Sequence, residues 1–288
     1  MKVGLVGNGY LGQAYHQVFP EAVVYDEPKG LLIDNGLKYS PETWNSDVDR
    51  DQFIKAGRSA INACDIAIVT VPTDPLPTGA LDMTIVKEVV GWLKTDTILI
   101  KSALMPGTVD KLVDQTGKNI AVSVEYIGMG NYYLDPHDYP DPKDPRKHKL
   151  LVIGGQEPAR SKAAEVLWSK MSPDTRIHLV TAKEAEMVKL MENAWGAFKV
   201  TWANCMYSAV TKARQNFINV HQAWSEDGRV DAMHTRVTSD KRGWKSHCYD
   251  KDIEALAYFA RSIAADDMAE LIDTVVKLNQ GHLDENPS

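Results

Sequence analysis

Residues 1–12 read Met1-Lys2-Val3-Gly4-Leu5-Val6-Gly7-Asn8-Gly9-Tyr10-Leu11-Gly12, and a second apolar run, Ala22 to Tyr25, ends in Asp26. A β-branched run feeding glycines at 7, 9 and 12 predicts a strand, a tight turn and a helix N-terminus. Backbone N–H groups at such a turn can face a pyrophosphate, and an acid closing the next strand can take ribose hydroxyls. The order therefore predicts a β-α-β unit for a dinucleotide, bordered by Gly7, Gly9, Tyr10, Leu11, Gly12 and Asp26. Glycines also mark ordinary turns, but these stand between a predicted strand and helix, and the acid follows Gly12 by 14 residues. Asp26 would repel a 2′-phosphate, which favours NAD over NADP.

The strand pattern continues outward from this unit. Apolar runs at Val3–Val6, Ala22–Tyr25, Ile66–Val71, Ile98–Ile100, Ile120–Val124 and Leu150–Ile153 alternate with segments that can be helical. Runs apolar on both faces predict an α/β fold with a Rossmann-like, mostly parallel sheet covered on both sides. Most of these runs end in turn or polar residues, Gly7, Asp26, Pro72-Thr73, Lys101-Ser102 and Glu125, at the strand ends where open α/β sheets bind ligands. The proline-rich segment 135–149 reads as a surface loop, either a lid or a solvated insertion.

The character changes at Thr181, where Thr181-Ala-Lys-Glu184 has capping-box spacing. From Ala182 to Phe217 there is no proline and one glycine, Gly196, which predicts one long helix in an all-helical second domain. The expected domains are thus 1–180 and 181–288. Val188, Met191, Trp195, Phe198, Trp202 and Met206 form a stripe, widened by Leu190, Ala194, Ala197 and Ala209. Such breadth predicts burial on more than one side, either in a homodimer through this helix, which we favour, or in a monomeric bundle. Further helices are expected over Val230–Thr238 and Lys251–Leu278, with a frayed tail after Gly281.

A length of 288 residues supports one large or two medium domains, and 44% hydrophobic with 25% charged residues is ordinary for a globular chain. The formal net charge of −7 offers no general basic face, so nucleic acid is not an expected partner. Cys64, Cys205 and Cys248 have neither close pairing nor metal-ligand spacing, and the histidines show no ligand pattern, so no catalytic metal is expected. The first apolar run is too short for a membrane span and lacks a cleavage pattern, which makes a cytoplasmic protein the expectation.

Five residues at three places in the chain carry candidate chemistry. Lys189 and Asn193 lie four apart on the long helix and share a face, where an ammonium and an amide can stabilise an oxyanion; such a lysine can also merely snorkel. Cys248 opens the last helical region, with Asp252 one turn later. A thiol at a helix N-terminus is well placed as a nucleophile, with the acid available for hydrolysis, although most cysteines are buried and inert. Glu125, closing the strand 120–124, can act as a base, orient water or cap a turn.

Together these segments resemble the UDP-glucose/GDP-mannose dehydrogenase family. The matching pieces are Gly7 to Gly12; Val69-Thr-Val-Pro-Thr-Asp74; Lys101-Ser-Ala-Leu-Met-Pro-Gly-Thr108; Val124-Glu-Tyr126; Glu184 to Asn193; and Gly243 through Cys248 to Lys251-Asp252. The resemblance implies two NAD-dependent oxidations that take a nucleotide-sugar C6 alcohol through an aldehyde to a carboxylate. It implies that Cys248 forms a thiohemiacetal and then a thioester, that Lys189 and Asn193 stabilise oxygen charge, and that Asp252 and Glu125 handle water and protons. Val71, Pro72, Thr73, Lys101 and Ser102 would border the nicotinamide.

The departures are specific. The family's glycine-rich stretch is replaced by Trp244-Lys-Ser-His247, its second glutamate by Met129, a proline by Asp250 and a threonine by Ala103. The family's third, nucleotide-sugar-binding domain is not expected within this length. Two readings follow: a compact dehydrogenase acting on a nucleotide sugar or smaller alcohol, or a cofactor-binding regulator or assembly component without four-electron oxidation.

Overall fold

A computed structural model describes residues 1–39, 50–128 and 144–285. The chain divides into two compact units, one holding the described residues up to 74 together with 82–128 and 144–189, the other holding 75–81 and 190–285.

In the first unit the strands β1 (Val3–Val6), β2 (Val23–Asp26), β3 (Leu31–Asp34), β4 (Leu37–Tyr39), β5 (Ile66–Val69), β6 (Thr97–Ile100), β7 (Ile120–Ser123), β8 (Leu150–Gly155) and β9 (Arg176–Val180) form one sheet. Their order is β4-β3-β2-β1-β5-β6-β7-β8-β9. The central run β2-β1-β5-β6-β7 is parallel; β3 and β4 extend it antiparallel, β8 turns antiparallel to β7, and β9 is parallel to β8. Every residue of β1, β2, β5, β6 and β7 is buried, the property that made them legible as two-sided apolar runs.

Helices cover both faces. Leu5, Ile68, Leu99 and Ile153 pack with Tyr15 and Val18 of α1 (Tyr10–Val18) and Ala163 and Val166 of α5 (Ala159–Trp168). On the other face Gly4 admits Ile61 of α2 (Arg50–Asn62), and Gly57 of α2 seats the Tyr25 ring, which an added Cβ would meet at 2.2 Å. The helices α3 (Thr84–Trp92) and α4 (Thr108–Thr116) complete the unit. The chain leaves β1 for β2 on one side and later enters β5 on the other, so the carboxyl ends of β1 and β5 flank a topological switch point.

The second unit is helical: α6 (Ala182–Lys212, from residue 190 on), α7 (Phe217–Ser225), α8 (His247–Ser262) and α9 (Asp266–Asp284). The predicted capping box starts α6, with Glu184 accepting the Thr181 N–H at 2.7 Å and Thr181 Oγ1 accepting the Glu184 N–H at 3.3 Å. The helix ends at Lys212, short of the expected Phe217.

Three expectations need correction. Residues 230–238 are not helical: Asp231 bonds the Met233 N–H, Thr235 bonds the Ala232 carbonyl, and His234 sits at φ 67°, local bonds that replace helical ones. The expected helix over 251–278 is two helices, broken where Ala264 takes φ 57°. The helix expected to fray after Gly281 continues to Asp284. Met129 and residues 135–143 of the proline-rich segment lie outside the described residues; Pro145–Lys147 is a 3-10 turn capped by Asp144.

Candidate active site

The glycine loop is built by close packing. Gly7 has φ 96° and donates its N–H to the Tyr25 carbonyl at 2.9 Å, while a Cβ on Gly12 would lie 2.1 Å from the Gly7 carbonyl oxygen. Gly9 differs: it caps α1 without a side-chain bond, and a Cβ there would meet nothing within 4 Å. The N-terminus of α1 therefore presents its first-turn N–H groups across open space, the cradle a pyrophosphate requires. Asp26, at the end of β2, accepts N–H bonds from Asn8 at 2.7 Å and Lys29 at 3.1 Å, which leaves lone pairs for ribose hydroxyls. The residues present fit a dinucleotide. Tyr10 is 43% exposed and its hydroxyl donates to the Gly128 carbonyl at 2.8 Å; Leu11 packs on the core.

Beyond this loop, polar side chains tie one strand exit to the next. Thr70 Oγ1 donates to the Gly7 carbonyl at 3.0 Å, Ser102 Oγ donates to the Val71 carbonyl at 2.6 Å, and Lys101 Nζ donates to Ser123 Oγ and the Val124 carbonyl at 3.1 and 2.9 Å. Val71, Thr73, Lys101 and Ser102 are buried, and Pro72 is exposed. Of the residues expected to border a nicotinamide, Lys101 and Ser102 thus spend their side chains inside the sheet edge.

Glu125 is buried and paired with Lys101 at 3.2 Å, and its Oε1 accepts the N–H groups of Tyr126 and Ile127 at 2.8 and 2.7 Å. Burial alone would push this carboxyl up; the Lys101 charge, His148 and the Ile127 amide outweigh it and hold the group below the usual carboxylate range. The Glu125 carbonyl, on the same loop, accepts from Lys189 Nζ at 2.6 Å.

In the second unit Ser246 caps α8 by accepting the Tyr249 N–H at 3.0 Å, so Cys248 occupies the helix's second position and is half-buried. The segment leading into it is clamped from two helices. Asn204 accepts from Arg242 Nε and the Gly243 N–H at 2.7 and 3.1 Å, and Asn279 makes both backbone bonds to Trp244, at 2.7 and 2.8 Å. Gly243 has φ 71°, and a Cβ there would lie 2.9 Å from Asn279 Oδ1. One turn after Cys248, Asp252 is 1% exposed; its Oδ2 accepts from Asn193 at 2.5 Å and its Oδ1 pairs with Lys251 at 2.6 Å. Cys248, Asp252 and Asn193 are thus held in one unit, and Lys189 lies four residues before Asn193 on α6.

Sequence reasoning missed several supporting groups. Lys251 was part of a quoted motif but had no role, because adjacent helical residues diverge; its long stem turns the ammonium back onto Asp252. Thr70 lies in the matching piece Val69–Asp74 with no role of its own, and Asn204 and Asn279 carry no signal beyond being polar in apolar surroundings. Glu186 on α6 was also missed: it is 1% exposed and accepts the Gly107 and Val109 N–H groups at 2.5 and 2.9 Å, capping α4 from outside. Among the described residues no helix is long and apolar enough to cross a membrane.

Comparison with known proteins finds similarity to one family. Residues 183–281 match the central-domain model of the UDP-glucose/GDP-mannose dehydrogenase family. The chain is 27% identical to GDP-mannose 6-dehydrogenase of Pseudomonas putida, over 98% of this chain and 69% of that protein. It is 24% identical to UDP-glucose 6-dehydrogenase of Rhizobium meliloti, over 97% and 67%. The fold is that of a UDP-glucose dehydrogenase from Pyrobaculum islandicum, with TM-score 0.73 and 21% identity over 97% of this chain and 68% of that one. The chain thus spans about two thirds of the length of these relatives.

Proposed function

We propose that this chain, a relative of the UDP-glucose/GDP-mannose dehydrogenases, is an NAD-dependent oxidoreductase that takes a CH–OH group of a nucleotide sugar to a carboxylate. The observation that carries the reading is Cys248 at the start of α8, followed one turn later by a buried Asp252 fixed by Asn193 and Lys251. A cysteine kept only for packing needs no such neighbours.

NAD, when bound, supplies the hydride acceptor for both oxidations. After the first, the Cys248 sulfur adds to the aldehyde carbon and the thiol proton passes to the aldehyde oxygen, giving a thiohemiacetal; loss of a hydride and of the hydroxyl proton from that adduct leaves a thioester, which water cleaves to the acid and the free thiol. Lys189 and Asn193 donate to the oxygen on which charge develops, where their bonds are worth most. Asp252 takes the water proton during hydrolysis, with Lys251 and Asn193 holding it in one orientation.

The reading includes a homodimer through α6. Met191, Trp195, Trp202 and Met206 are 36–57% exposed and recur at spacings that share one helical face, while Leu190, Ala194 and Ala197 are buried within the unit. Large apolar side chains exposed along one helical face support this reading.

The test is an NADH-production screen across UDP- and GDP-sugars, with the product-to-NADH ratio measured. Two NADH per carboxylate is the expected result. Cys248→Ser should abolish acid formation with NAD affinity nearly unchanged; full turnover to acid in the serine variant removes Cys248 from the mechanism.

A further inference from the structure

We propose that Lys101 is a positioning residue for Lys189, acting through the loop after β7, and that Glu125 serves the reaction with its backbone carbonyl. The inference rests on the reading of Lys189 given under Proposed function.

The bonds form one chain within the first unit. Lys101 is 2% exposed and its ammonium is spent on the β7 exit: Ser123 Oγ at 3.1 Å, the Val124 carbonyl at 2.9 Å and Glu125 Oε2 at 3.2 Å. The Glu125 side chain then folds back on its own loop, accepting the Tyr126 and Ile127 N–H groups at 2.8 and 2.7 Å. With ψ and χ of this residue set from both sides, its carbonyl has one direction, and that carbonyl receives Lys189 Nζ at 2.6 Å. Tyr10 secures the loop further along, at the Gly128 carbonyl.

The choice of acceptor matters chemically. A carboxylate holding Lys189 would cancel the field that an oxyanion needs, whereas a neutral carbonyl fixes one N–H and leaves the full charge and two donors for the substrate oxygen. The buried Lys101 and the side chain of Glu125 itself supply rigidity at that carbonyl, and their charges cancel each other. This also explains why a residue expected to handle water is almost wholly enclosed.

The experiment is a double-mutant cycle of Lys101→Met with Lys189→Ala, read by kcat, by KM for the nucleotide sugar and by NAD affinity from calorimetry. Displacing Lys189 by even about 1 Å is expected to lower kcat on the order of 10²-fold. The expected result is that loss with NAD affinity unchanged, and no further loss when Lys101→Met is added to Lys189→Ala. Ser123→Ala, which removes one neutral acceptor and leaves the ion pair, should show the same non-additivity with a smaller loss, and serves if Lys101→Met does not fold. Full kcat in both Lys101→Met and Ser123→Ala, or losses that simply multiply with that of Lys189→Ala, overturns the inference while leaving the dehydrogenase reading intact. Absence of any sugar-dependent NADH from the unmodified protein overturns both.

Discussion

Replacing Asp252 by Asn changes almost no volume, so its cost isolates electrostatics and hydrogen bonding. The carboxylate is 1% exposed, 2.6 Å from the Lys251 ammonium and 2.5 Å from the Asn193 amide. An amide at position 252 must turn an NH2 toward one of these two donors, and it leaves the buried ammonium without a counter-charge. Removing one partner of a buried pair costs about 3–5 kcal/mol, because the other charge stays desolvated. Set against a total stability of about 5–15 kcal/mol, the variant should still fold. With a urea slope of about 1–3 kcal/mol/M, the midpoint should fall by about 1–5 M, followed by the fluorescence of the seven tryptophans. The paired change Lys251→Met with Asp252→Leu removes both charges and should return stability to within about 1 kcal/mol of the parent. That double variant should nevertheless form no acid, since a methyl group cannot take a proton from water. A cost below about 1 kcal/mol for Asp252→Asn refutes the claim that the pair is desolvated and mutually dependent. Acid production by the double variant refutes the hydrolytic role.

Burial pushes the Glu186 carboxyl up to about 7 against the amide donors of Gly107 and Val109. The native state then holds a proton that the unfolded chain, near 4.5, has released, so stability should fall by on the order of 3 kcal/mol as pH rises from about 4.5 to about 7 and level off above. Urea midpoints at pH 5 and pH 8 for the parent and Glu186→Gln test this, and an identical slope in the glutamine variant refutes it. Gly12→Ala places a methyl 2.1 Å from the Gly7 carbonyl oxygen, so NAD affinity measured by calorimetry should drop beyond detection; retained binding refutes the loop geometry. Trp195→Glu with Trp202→Glu should yield a monomer by light scattering, and an unchanged mass rules out this face as the interface.

The central sheet was legible because its strands are buried on both sides, so Ile66–Val69 or Ile98–Ile100 could be read as apolar runs needing no periodicity. The β3–β4 hairpin was not: Leu37–Tyr39 is exposed throughout, and its signal is a turn at Asn35 and Gly36 between short mixed segments. β9 at the opposite edge failed for the same reason, with Arg176 and Leu179 exposed. Cys248, Asp252 and Asn193 could be singled out from helical spacing, with their roles implied by the resemblance, and only folding closes the 59-residue separation of the last two into a 2.5 Å contact. Lys101 was read from its place at a strand end, where nothing local distinguishes a lysine facing a ligand from one whose stem runs back into the sheet. That distinction depends on Ser123 and Glu125, which lie 22 and 24 residues further along.

The hydroxyls and ammonium that stitch the exits of β1, β5, β6 and β7 have a thermodynamic consequence for ligand capture. Because Thr70, Ser102 and Lys101 already spend their polar atoms on neighbouring strands, a dinucleotide arriving at this rim finds a floor that needs no ordering. The rim should therefore exchange its amide hydrogens only with global unfolding of the sheet, and association there should carry little conformational penalty from the floor itself.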